Sequence, residues 1–155
     1  MQARRHDIFW TIVMMMAIPF LGSLATERGM VWYSSLTLPS ITPPGEFIGI
    51  IWTVLYVLIG FALLRTWRRT SYGENKKIRL IFVANLILNT LWTPIFFGLG
   101  ALEAALLVLF FIVISGAILA VKMWKIDYIT TLLLTPYVVW TVFATYLNIL
   151  IITLN

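Results

Sequence analysis

The stretch Trp32-Tyr33-Ser34-Ser35-Leu36-Thr37-Leu38-Pro39-Ser40-Ile41-Thr42-Pro43-Pro44-Gly45, with the block Ile51-Trp52-Thr53-Val54-Leu55-Tyr56 that follows it, decides how the rest of the chain is read. It is the one long connection in a chain that is otherwise almost all apolar. Pro39, Pro43 and Pro44 are three of the six prolines, and the two blocks together hold Trp32, Tyr33, Trp52 and Tyr56. Proline fixes φ and has no N–H to donate, so neither a continuing helix nor a central strand can run through it. The stretch therefore reads as an irregular, semi-rigid cap between two apolar runs.

Working outward, the composition names the solvent. The 155 residues are 61% hydrophobic and 11% charged, with a mean hydropathy of +0.98. A soluble domain is about half apolar and about a quarter charged. The charges bound five gaps: Asp7 to Glu27, Glu46 to Arg65, Arg79 to Glu103, Glu103 to Lys122, and everything after Asp127. A membrane helix needs roughly 20 apolar residues, and in lipid an open chain satisfies its backbone only as a helix. The expected fold is an all-α integral membrane protein, one domain over 1–155, with a bundle of five transmembrane helices. The spans fall near 8–26, 46–66, 79–99, 103–122 and 128–152, and a Pro/Trp-rich loop, 27–45, caps a pocket between helices 1 and 2. Pro19, Pro94 and Pro136 predict kinks. The short turn from Gly98 to Glu103 makes helices 3 and 4 antiparallel neighbours, and the connection 65–79 around Tyr72-Gly73 reads as solvated. Arg4-Arg5, an apolar run and Ser23-Leu24-Ala25 imitate a signal peptide, but the run is long for that purpose.

Lysine and arginine set the orientation. Arg4, Arg5, Arg65, Arg68, Arg69, Lys76, Lys77, Arg79, Lys122 and Lys125 fall on one side of a five-span chain, and Arg28 alone on the other. By the positive-inside rule the N-terminus is cytoplasmic, with the cap loop and Asn155 opposite. The basic residues thus read as topology signals, and nucleic acid is not an expected partner; the lipid bilayer is.

Between the charges that bound them, the five expected spans contain no Asp, Glu, Lys, Arg or His. This argues against proton-coupled pumps and against His/carboxylate metal sites or a Ser-His-Asp triad. With His6 at the N-terminus as the single histidine, no imidazole in the bilayer could ligate a haem iron. Aromatic and amide chemistry remains. Asn85, Asn89 and Trp92 recur at i, i+4 and i+7 on helix 3, within one arc. Tyr137, Trp140, Ala144 and Asn148 share a side of helix 5, and Trp52 and Tyr56 are i, i+4 partners on helix 2. An Asn in hydrocarbon is ordinarily interhelical glue, and membrane aromatics ordinarily form interfacial belts. Three such faces beneath an aromatic, proline-rich cap describe a pocket for a flat apolar ligand with a few polar groups.

These residues resemble the TspO/MBR family, the bacterial tryptophan-rich sensory proteins and the mitochondrial translocator protein, once called the peripheral benzodiazepine receptor. The likeness runs from Trp32 to Asn148. It rests on Trp32-Tyr33 with Leu36, Pro39 and Pro43-Pro44; on Trp52-Thr53 with Leu55-Tyr56; on Asn85 and Asn89 with Trp92-Thr93-Pro94 and Phe96-Phe97; and on Pro136-Tyr137 with Trp140, Phe143-Ala144 and Leu147-Asn148. Ile41 and Ile50 depart from it, standing where the family often has an aromatic residue and a proline. After Leu147 the tail has neither the aromatic nor the basic residue of the mammalian cholesterol pattern, so cholesterol binding is not carried over.

The resemblance implies a five-helix bundle, often a homodimer, that binds porphyrins and benzodiazepine-site ligands beneath the first loop; some bacterial relatives are reported to break down protoporphyrin in light. It implies that Trp52 and Trp140 face the porphyrin, that Tyr33, Asn85, Asn89 and Trp92 line the pocket, and that Ala144 sits where substitution affects ligand binding. The expected ligand-binding set is Tyr33, Trp52, Tyr56, Asn85, Asn89, Trp92, Tyr137, Trp140, Ala144 and Asn148. No cofactor or metal is required, porphyrin or haem being a ligand. The expected function is a membrane receptor or carrier for tetrapyrroles, in porphyrin or stress regulation. Two alternatives stand beside it: a light-dependent porphyrin degrader with Trp52 and Trp140 as its reactive residues, and an interaction protein whose aromatics only stabilise the bundle. Binding is favoured because the spans supply no general acid, base or nucleophile.

Overall fold

Five long helices account for nearly all of the chain in a computed structural model, which describes residues 5–70 and 76–155. They are α1 (Arg5–Ser34), α2 (Gly45–Arg69), α3 (Lys76–Thr93), α4 (Leu102–Trp124) and α5 (Tyr128–Leu154), and a π-helical segment, Pro94–Gly98, prolongs α3. Each is long and apolar enough to cross a bilayer, so the protein is an integral multi-pass membrane protein. The connection expected around Tyr72-Gly73 lies partly outside the described residues.

The helices close into a ring in the order α1, α2, α5, α4, α3, with α1 returning onto α3 and its π-helical end. The helices α2 and α3, consecutive in sequence, touch only marginally, because α5 packs against α2 and α4 against α3. The main core fills the ring from four sides, with Leu55, Ile59 and Leu63 of α2, Phe82 of α3, Leu109 and Ile112 of α4, and Leu134 and Tyr137 of α5.

One boundary and one helix type differ from the sequence reading. The helix α1 does not end near residue 26 but runs through Glu27 and Arg28 to Ser34, so the loop shrinks from 27–45 to 35–44. Charges beyond the hydrocarbon do not break a helix, and α1 stops only at Ser34, where Ser35 N–H and Leu36 N–H turn back to Trp32 O and Tyr33 O ahead of the proline-rich stretch. The extra turns are held by close packing. Gly29 lies against the π-helical segment, where a Cβ would overlap the carbonyl of Phe97. Trp32 covers Gly100, which has φ +62° and would bring a Cβ to 2.9 Å from the indole.

The second difference is at Pro94. The missing N–H is absorbed by a change of helix type, with Leu99 N–H donating to Pro94 O at 3.0 Å, five residues back. Pro19 and Pro136 lie inside continuous helices. At the far end Arg65 ties α2 to α5 by a fork, its Nε and Nη2 each 2.7 Å from an oxygen of Asp127. Asp127 is the N-cap of α5 and accepts from Thr130 N–H.

Candidate ligand-binding site

Inside the ring a chain of hydrogen bonds crosses four helices. Tyr56 Oη on α2 donates to Asn89 Oδ1 at 2.9 Å, Asn89 Nδ2 donates to Tyr137 Oη at 3.2 Å, and Tyr137 Oη donates to Asn85 Oδ1 at 3.0 Å. Asn85 Nδ2 then donates to Ile112 O at 3.0 Å and Ser115 Oγ at 2.8 Å, both on α4. Asn85, Asn89 and Tyr137 are buried, and a buried amide without a partner costs roughly 2–7 kcal/mol. The i, i+4 spacing puts both asparagines on one interior face of α3, where the two tyrosines and Ser115 pair with them. The two amides are thus engaged within the protein, in the interhelical role ordinary for membrane asparagines.

The same register stacks three tryptophans directly beyond this layer. Trp52 precedes Tyr56 by one turn of α2, Trp92 follows Asn89 on α3, and Trp140 follows Tyr137 on α5; the helix directions place all three one turn nearer the loop. Trp52 stacks on Tyr56 with ring centroids 5.5 Å apart and turns toward the edge of Tyr137 at 6.5 Å. The rings of Trp92 and Trp140 are partly buried against the core, and their Nε1–H donors are enclosed without an acceptor. Nearly all buried donors in proteins find a partner, so two such donors in adjoining parts of one layer are unusual.

Nearer the loop lies an aromatic cluster. Trp92 stacks on Phe96 at 5.1 Å, Trp32 meets Phe96 edge-on at 5.7 Å, and Tyr33 packs on Phe97 at 5.2 Å. Tyr33 therefore reaches Trp92 through the phenylalanines, as part of the wall above it. Ala144, one turn beyond Trp140, is also partly buried against the core. Asn148 does not join the tryptophan layer. With its amide oriented to satisfy both groups, Nδ2 donates to Leu102 O and Oδ1 accepts from Leu106 N–H, each at 3.3 Å, on the first turns of α4.

A groove of about 420 Å³ lies between α1 and α2. It is not the capped pocket expected there, because no loop residue lines it: its walls are Thr11 to Pro19 of α1 and Thr53 to Leu64 of α2. Tyr56 is the wall it shares with the polar layer.

Set beside known proteins, residues 10–154 match the family model for the TspO/MBR family. The chain belongs to the TspO/MBR family. It is 34% identical to the tryptophan-rich protein TspO of Archaeoglobus fulgidus over 94% of each chain. It is 37% identical to protein CrtK of Rhodobacter capsulatus, over 80% of this chain and 78% of that one, and 31% identical to the human translocator protein, over 84% and 81%. In this TspO/MBR protein, sequence reasoning missed Ser115, Thr42, the Arg65–Asp127 fork and Asn155. Ser115 carried a signal, being the single hydroxyl in the run Ala104 to Val121. Thr42, whose Oγ1 is enclosed without a partner in the loop, carried none.

Proposed function

We propose that the tryptophan layer binds a flat, apolar ligand bearing hydrogen-bond acceptors, a porphyrin or a benzodiazepine-site type molecule, beneath the loop. The protein then serves as a receptor or carrier in tetrapyrrole or stress regulation. The observation that supports this reading is the pair of enclosed, unpartnered indole N–H groups on Trp92 and Trp140. Left unmet, each donor costs free energy, and an acceptor on the ligand would recover it. Three indoles supply the apolar, polarisable surface that suits a macrocycle. A homodimer in a bacterial cell membrane, with the loop on the non-cytoplasmic side, is the setting we propose for it.

The test uses that asymmetry. Trp92→Phe and Trp140→Phe keep a ring but delete an unpaired donor, so the ligand-free protein should melt at or slightly above the wild-type temperature. Affinity for protoporphyrin in the dark, read by tryptophan quenching, should fall by about 0.5–1.5 kcal/mol for each. Lower stability with unchanged affinity would make these tryptophans packing residues only. Absorbance decay under illumination, measured at matched occupancy with Trp52→Phe included, separates binding from photochemistry. Light-dependent loss that collapses in Trp52→Phe and Trp140→Phe would favour degradation.

A further inference from the structure

The loop 35–44 is pinned from outside by one side chain. Thr37 N–H donates to Asn155 Oδ1 at 2.8 Å, and Asn155 Nδ2 donates back to Thr37 O at 3.1 Å. The amide thus pairs with both backbone groups of one residue, as a neighbouring strand would. Its Nδ2 also donates to Ile151 O at 2.9 Å, which caps α5 and holds the amide in position. The ground beneath is firm: Ile151 is buried with Phe96 and Ala105, and Leu36 packs on the same cluster.

Beyond Thr37 the loop has one backbone bond of its own, Thr42 N–H to Pro39 O at 2.9 Å, before α2 begins. Pro39, Pro43 and Pro44 stiffen that part, so it should move as one piece rather than fray. It is a stiff flap, continuous with α1 and α2 at its two ends and tied to α5 at Thr37 by two hydrogen bonds that are open to solvent. Two such bonds are strong enough to keep the flap closed most of the time and weak enough to break on the timescale of ligand exchange.

We propose that Asn155 is a positioning residue of the site, a latch that holds the loop over the ring and whose release sets how fast ligand passes. The ligand half of this rests on the binding function proposed above; the latch itself does not. An amide is suited to the task because it offers a donor and an acceptor side by side. A carboxylate in its place would offer acceptors alone, so Asn155→Asp can keep only the bond from Thr37 N–H.

The experiment uses the full chain in nanodiscs. In Asn155→Ala, hydrogen exchange at the Thr37 amide should rise on the order of tenfold, the worth of two exposed hydrogen bonds. Association and dissociation of protoporphyrin, followed by tryptophan quenching, should both accelerate while their ratio changes little. A residue that only contacts the ligand would instead act on dissociation. Asn155→Asp should fall between Asn155→Ala and the unaltered protein. Unchanged exchange at Thr37 in Asn155→Ala would overturn the latch, and faster exchange with both porphyrin rates unchanged would overturn its control of passage. If the unaltered protein binds no protoporphyrin while Asn155→Ala still exposes Thr37, the porphyrin reading falls and the latch stands.

Discussion

Tyr137 is where the interior is decided residue by residue. Its hydroxyl receives Asn89 and gives to Asn85, so one oxygen satisfies two amides on α3 from α5. Tyr137→Phe keeps the ring that Trp52 approaches but strands an amide N–H of Asn89 and the carbonyl of Asn85. The expected cost is about 1–3 kcal/mol, the penalty for unsatisfied buried groups, read as a lower melting temperature in detergent. A loss below about 0.5 kcal/mol would mean that water replaces the hydroxyl and that the site is wetter than a closed ring allows. That both asparagines point inward was legible from their spacing and from the cost of an amide in lipid. Which partners they take was not, since Tyr56, Tyr137 and Ser115 come from three other helices. Asn148 has the same chemistry as Asn85 and a different duty, because it faces the first turns of α4, where its amide meets Leu102 O and Leu106 N–H.

At the scale of elements, the joint between α2 and α5 is electrostatic. Asp127 is nearly buried, and the hydrogen bond from Arg65, helped by Thr130, holds its carboxyl down at about 2 against the opposing effect of burial. An unfolded aspartate titrates near about 3.9. The folded value is the lower one, so the stabilisation is present in full above about pH 4 and is lost as pH falls through about 2. Melting curves of the wild type should drop steeply over that window, and those of Asp127→Asn should be lower at neutral pH and flatter below pH 4. Parallel curves would show that the fork contributes nothing to the joint. The helix-breaking prolines illustrate the limits of local reading. Pro94 was legible as an irregularity, but whether it bends the helix or converts it to a π-helical turn depends on the packing of Gly29 and Trp32 against that turn.

For the whole molecule, the ring order α1, α2, α5, α4, α3 puts the loop at one end with Asn155 and the Arg65–Asp127 fork at the other. Among the described residues, nine of the ten basic residues fall at the fork's end of the five helices, and Arg28 alone toward the loop. Reporter fusions should therefore place the N-terminus in the cytoplasm and the C-terminus across the membrane. Both termini on one side would contradict an odd number of crossings. Weakest in its packing is the first half of α1, which leaves Trp10, Met16 and Phe20 exposed to whatever surrounds the ring.

The number of spans, the direction of the charge bias and the inward turn of the asparagines followed from sequence, because transfer into lipid is a sum over local residues and spacing along a helix fixes a face. The length of α1, the π-helical turn, the engagement of Asn85 and Asn89 with tyrosines, and the clasp of Asn155 on Thr37 were decided only by tertiary structure. Each depends on which surface arrives opposite, and residues 118 positions apart in the chain meet only once the ring has closed.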